Sequence, residues 1–95
     1  MKIFGTKTFV METDVMRQAF KVCEEAFELY MAAKHRNVID PINDLESRRR
    51  DMVYEGADVI QAVLNFFDML GMDEEEVDDA MYACYRRNVN RGRVK

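Results

Sequence analysis

Residues 14–36 read DVMRQAFKVCEEAFELYMAAKHR. Val15, Ala19, Cys23, Ala26, Phe27 and Tyr30 recur at the steps that put side chains on one face of an α-helix. Thr13 stands where an N-cap belongs, and Asp14 sets a negative charge at the end where the helix dipole favours it. The pattern predicts a helix from Thr13 to about Lys34 or Arg36, with an apolar stripe to bury.

Two further segments follow the same rule. His35–Asn43 holds the turn-compatible Asn37, Asp40 and Pro41, and Asn43 with Glu46 resembles a capping box. A long second helix then carries Val53, Ala57, Ile60, Val63/Leu64, Phe67 and Leu70, with Gly71 as its stop. Asp73 with Glu76 opens a third helix, striped by Val77, Ala80, Met81, Cys84 and Tyr85 and fraying near Asn90 and Gly92. Short connections favour antiparallel neighbours, so the expected fold is all-α, an antiparallel bundle of about three main helices. Residues 1–13, with the β-favouring Ile3, Thr8, Phe9 and Val10, are expected to form a short strand or an arm on a partner. The helical domain proper is then 14–95.

A chain of 95 residues is one small domain. It buries a modest share of its surface, so its core is expected to be completed by a partner chain. A net charge of −4 argues against a nucleic acid polymer as partner, because such binding leans on positive charge. It does not argue against a magnesium–nucleotide complex. Cys23 and Cys84 lie in apolar helical patterns without Cys-x-x-Cys spacing and read as reduced core residues. No long apolar run suggests a membrane span and no leader is evident, so the expected location is cytoplasmic.

The chemistry is carried by acids. In Glu24-Glu25-Ala26-Phe27-Glu28, Glu24 and Glu28 lie about 40° apart around the helix and Glu25 and Glu28 about 60° apart, one acidic edge. In Glu55-Gly56-Ala57-Asp58, Glu55 and Asp58 are likewise neighbours. Each edge borders apolar residues, so packing the stripes together brings the edges together. Carboxylates so placed repel one another unless a cation joins them, and an all-oxygen set suits magnesium or manganese. Gly56, costly within a helix, is expected to admit a close approach. Acids at such spacing most often form a solvated face, and neither edge alone would distinguish the two readings.

The pairing does. Glu24-Glu25-x-x-Glu28, a gap at residues 29–54, and Glu55-x-x-Asp58 resemble the signature of the MazG-like all-α nucleotide pyrophosphohydrolases. The likeness continues through Ala57-Asp58-Val59-Ile60, Asn65 and Leu70-Gly71-Met72-Asp73 to the basic Arg86–Gly92 segment. It spans roughly residues 14–93 and leaves the N-terminal arm outside. The resemblance implies Mg2+, with Mn2+ as the alternative, held by Glu25, Glu28, Glu55 and Asp58. Glu24 would be a further ligand, or the catalytic group that orients and deprotonates the attacking water. The implied reaction converts a nucleoside triphosphate to monophosphate and pyrophosphate, serving nucleotide-pool house-cleaning or regulation. The implied assembly is a homodimer or dimer of dimers.

Positive groups outside the metal shell are sought at the end of the third helix. Arg86, Arg87, Asn88 and Arg91 are the candidates for substrate phosphate, with Asn88 and Arg91 favoured by the resemblance; cations also simply suit a helix C-terminus. Asn65, two turns beyond Asp58, is a candidate nucleotide contact, and Phe66 or Tyr85 a candidate base-stacking ring. His35 is the lone histidine and reads as a surface or capping residue. The acids read phosphates rather than bases, so a dUTP/dCTP-type or phosphoribosyl-ATP enzyme remains a rival. Base choice is expected to lie in aromatics and in residues 37–46. The alternative of another class is a non-catalytic helical assembly or nucleotide-binding module, in which the acidic edges need not meet.

Overall fold

The computed structural model describes residues 2–9, 14–35 and 45–94. Among them are three helices, α1 (Val15–His35), α2 (Leu45–Met69) and α3 (Glu74–Asn90). An antiparallel hairpin precedes them, with β1 (Lys2–Ile3) paired to β2 (Thr6–Lys7). No helix among the described residues is long and apolar enough to cross a membrane.

The helix ends follow from local chemistry. Asp14 is more than a favourable charge: its Oδ1 accepts from the Arg17 N–H at 2.7 Å, capping α1. Thr13 and Asn43, the expected caps, lie outside the described residues. Asp73 caps α3, accepting from the Glu76 N–H at 2.8 Å. At the end of α2, Gly71 takes the left-handed conformation with φ 74. Its N–H then reaches the Asp68 carbonyl and that of Met72 reaches Phe67, while Met72 and Phe67 pack on the same core. Both bonds and the apolar contact are those of a Schellman stop.

α1 and α2 form a helical hairpin. Gln18, early in α1, donates to the Ala62 carbonyl late in α2, while Glu25 and Glu28 further along α1 meet Glu55, so the helices are antiparallel. α3 does not lie down beside them as a third rod. It packs chiefly on β1, where Val77 and Leu64 enclose the fully buried Ile3. The radius of gyration is 16.1 Å, against about 12–13 Å for a compact chain of this length. The all-α class and the three helices are as expected; within one chain α1 and α2 pair as a hairpin and α3 is anchored by its N-terminal end.

The N-terminal arm packs on its own chain. Phe4 and Gly5 have φ of 53 and 77, the pair of left-handed residues that a two-residue type I′ turn requires. That turn sends Ile3 into the core and leads Thr8 to Asp68, whose Oδ2 accepts its hydroxyl at 2.6 Å. Glu74 fixes the turn, accepting from the Phe4 N–H at 3.0 Å. Phenylalanine is strained there, since a left-handed residue other than glycine or asparagine costs about 1–2 kcal/mol. Phe4→Asn is expected to stabilise the protein by about 1 kcal/mol. It should raise the urea midpoint at unchanged slope; a lower midpoint would mean that the ring's packing outweighs the strain.

The apolar stripes are present but mostly face outward in the single chain. Val15, Ala19, Cys23, Ala26, Phe27 and Tyr30 of α1 are exposed, as are Val53, Ala57 and Ile60 of α2 and Ala80, Met81 and Tyr85 of α3. Cys23 is thus not a core residue of one chain, and Cys84 is half-buried. Against α2, α1 presents Gln18, Val22, Glu25 and Leu29 instead. Periodicity identifies an apolar face without saying what covers it.

Candidate metal and nucleotide site

The antiparallel register of α1 and α2 brings three acids together. Carboxylate oxygens of Glu25, Glu28 and Glu55 all lie within 4.8 Å of one another. Glu25 and Glu55 are half-buried, and the Oε2 of each is buried with no hydrogen-bond partner. An unpaired buried carboxylate oxygen is costly, and a cation held between Glu25 and Glu55 would offset that cost. The oxygen-only, multiply charged set fits a hard divalent ion. Oxygens within 4.8 Å of one another could be held by one small divalent ion.

Electrostatics agree with the geometry. The Glu28 carboxyl is held above the ordinary glutamate range, first by the charge of Glu25, then by loss of surrounding water and by the charge of Glu55. Lys21 opposes this. Its Nζ lies 3.0 Å from Glu25 Oε1 and 3.8 Å from Glu24 Oε2, and the hydrogen bond and charge of Glu25 hold its ammonium above the usual lysine range. A single ammonium against this many carboxylates leaves the cluster negative.

Beside the triad runs an open groove of about 520 Å³. Arg17, Lys21, Glu24 and Glu25 line it from α1, and Asp58, Gln61 and Asn65 from α2. Asp58 is exposed and stands outside the triad, so the expected four-ligand set is divided: Glu25, Glu28 and Glu55 together, Asp58 on the adjoining wall. Glu24 sits between this groove and a second recess of about 430 Å³ formed with Phe20, Cys23, Phe27 and Glu28. Gly56 admits no close neighbour in the single chain: a Cβ there would meet nothing within 4 Å.

Asn65 does reach the groove, but its Oδ1 already accepts from the Phe9 N–H at 3.0 Å and from Gln61 Nε2 at 2.9 Å. It therefore holds the N-terminal segment against α2. Arg87, Asn88 and Arg91 are not brought to the acids. Asn88 donates to the Cys84 carbonyl and accepts from Arg93, and the Arg91 N–H closes the end of α3 on Arg87. The reason is α3 itself, anchored at its other end. Phe66 packs near Phe67, and neither Phe66 nor Tyr85 lines the groove; Phe9 does.

The groove's own cations, Arg17 and Lys21, were legible as a pattern. Arg17, Lys21, Glu25 and Glu28 follow at steps of four, four and three, one face of α1 running from basic to acidic. Compared with protein-family models, with curated proteins and with solved structures, the chain matches none.

Proposed function

We propose that this chain is a divalent-cation-dependent hydrolase of nucleoside triphosphates, releasing monophosphate and pyrophosphate in the manner of the MazG-like enzymes. The observation that carries the reading is the convergence of Glu25, Glu28 and Glu55 with two buried, unpartnered carboxylate oxygens. A solvated acidic face has no reason to bury unpaired oxygens of Glu25 and Glu55 beside the exposed Glu28. The pairing of the two acidic edges, foreseen from the residues alone, supports it further.

A divalent cation at the triad supplies charge to screen the triphosphate and acidifies water. The chain's own residues do the rest. Glu25, Glu28 and Glu55 would hold the ion, with Asp58 on the neighbouring wall. Glu24, on the rim and hydrated, takes the proton from the water attacking the α-phosphorus. The bond from that phosphorus to the bridging oxygen breaks, and pyrophosphate leaves. Lys21, which already lies against Glu24 and Glu25, contacts the non-bridging oxygens.

Assembly with a second copy belongs to the same proposal. On α1, Met16, Phe20, Cys23, Phe27 and Tyr30 are exposed and spaced four, three, four and three apart. That is the seam by which a helix packs on a like helix. Phe20 and Phe27 flank Glu24 and Glu28 in the outer recess, so a second copy docked there encloses the catalytic rim. Arg87, Asn88 and Arg91 would complete the phosphate grip from such a copy.

The test is product analysis from ribo- and deoxynucleoside triphosphates, including dUTP and dCTP, with and without magnesium. Release of pyrophosphate and monophosphate in equal amounts, dependent on the metal, is expected. Release of inorganic phosphate alone, or no turnover by folded protein, would overturn the reading in favour of another reaction or of a binding module.

A further inference from the structure

The N-terminal segment contributes nothing to the carboxylate triad, yet α2 spends three side chains on fixing where that segment runs. Asp68 accepts from the Thr8 hydroxyl at 2.6 Å, Asn65 Oδ1 accepts from the Phe9 N–H at 3.0 Å, and Gln61 Nε2 donates to the Lys7 carbonyl at 3.1 Å. Asn65 is almost fully buried, so this tether is built into the packing of α2. Its effect is to set Phe9 at the wall of the groove, where the residue remains 48% exposed. A large apolar side chain held half in water at a groove is available to a ligand.

Its surroundings are chemically distinct from the acid end. The antiparallel register orders the groove along the helix axis. Gln18 stands level with Ala62, whereas Glu25 and Glu28 stand level with Glu55. Gln18 and Glu28 are separated by about 15 Å of helix rise, with Lys21 between them. The Gln18 end carries Phe9, Ala62 and the amides of Gln18, Gln61 and Asn65, with Arg17 at its outer edge paired to Asp14. Gln18 is 3% exposed and spends Nε2 on the Ala62 carbonyl; its Oε1 accepts no hydrogen bond among the described residues. An aromatic face with neutral amide edges complements a flat, uncharged heterocycle that presents donors and acceptors around its rim.

We propose that this end of the groove is the nucleobase subsite, with Phe9 stacking on the base and the Gln18 amide reading its edge. The proposal rests on the nucleotide reading of the groove, and makes Phe9 a specificity-determining residue supplied by the N-terminal hairpin. Lys21 then stands where the base-to-phosphate axis reaches the acids. The Phe9 tether runs through its backbone N–H, so replacing the side chain leaves the tether in place.

The experiment is calorimetric binding of non-hydrolysable α,β-imido nucleoside triphosphates with magnesium to the wild type, Phe9→Ala and Phe9→Trp. Inorganic tripolyphosphate serves as the base-free ligand. Loss of a stacking ring is expected to weaken the best nucleotide about tenfold in Phe9→Ala, with Phe9→Trp close to wild type and tripolyphosphate bound equally by all three. Equal nucleotide affinity in Phe9→Ala and wild type would overturn the subsite. So would a matching loss for tripolyphosphate, which would mark a structural effect, or a wild type that binds no nucleotide. The two readings fail separately: Phe9-dependent binding without turnover removes the reaction and keeps the subsite. Turnover with Phe9-independent affinity does the reverse.

Discussion

Glu28→Gln is expected to abolish magnesium-dependent turnover while leaving the protein at least as stable as the wild type without metal. The two effects have one cause. Glu28 faces the charges of Glu25 and Glu55 and holds its proton more tightly than an ordinary glutamate. A neutral amide of the same shape removes that repulsion, so folding does not suffer. The ion, however, loses a charged ligand. Outer-shell partners of metal ligands already cost about 10–100-fold when removed, so a direct ligand should cost at least about 100-fold in kcat/KM. Linkage supplies a second readout. At a hundred times Kd a bound ion stabilises by about 2.7 kcal/mol, which raises the Tm of a domain this size by roughly 10–20 °C. Wild type should show this rise with magnesium and Glu28→Gln should lose most of it. Unimpaired turnover in the variant would remove the triad from the mechanism.

The same residues mark how far the sequence could be read. The helices, the Asp73 cap and the Gly71 stop were legible because each depends on a few neighbours in the chain. That Glu25 and Glu28 share one edge of α1 was legible from helical spacing, but they meet Glu55 by another route than expected, through the face of Gln18, Val22 and Leu29 rather than through the apolar stripes, which stay outside. Asp58 was placed one wall away because neighbouring positions on a helix still differ in direction, and that difference decides whether a side chain points into a cluster or beside it. The short N-terminal strand was expected, but not its pairing into a hairpin packed on its own chain. Its turn is Phe4-Gly5, without the asparagine or aspartate that advertises a type I′ turn, and its anchor, Ile3 on Leu64 and Val77, joins distant parts of the chain. With the hairpin went Phe9, and with it one wall of the groove. Arg87, Asn88 and Arg91 do not line the groove of their own chain. Their order along the chain was read correctly, but where α3 points depends on packing that local pattern does not encode.

If two copies pair through α1 as proposed, Phe27→Asp is expected to break that pairing, and with it much of the protein's stability. The argument begins with what one chain buries. Among the described residues the buried hydrophobic side chains are Ile3, Ala62, Leu64 and Val77. Each large one contributes about 1.5–3 kcal/mol, while ordering the backbone costs about 1–2 kcal/mol per residue. So small a core cannot hold extended helices in place by itself. The missing apolar burial is on the surface: Phe20, Phe27 and Tyr30 of α1 are 63%, 62% and 58% exposed, and an aromatic ring buries about 150–250 Å² when covered. Their four-three spacing suits a like helix, and a two-fold pair of α1 seams closes on itself without leaving a free edge. A charge at Phe27 lies at the middle of that seam, where it would be desolvated opposite its own copy. Sedimentation equilibrium should give a dimer or larger species for wild type and a shift toward monomer for Phe27→Asp, with a lower, concentration-dependent Tm. Since Phe27 also borders Glu24 and Glu28, turnover should fall in step with dissociation and recover as protein concentration rises. A stable wild-type monomer would overturn the seam, and full activity in a dissociated variant would show that one chain carries the whole site.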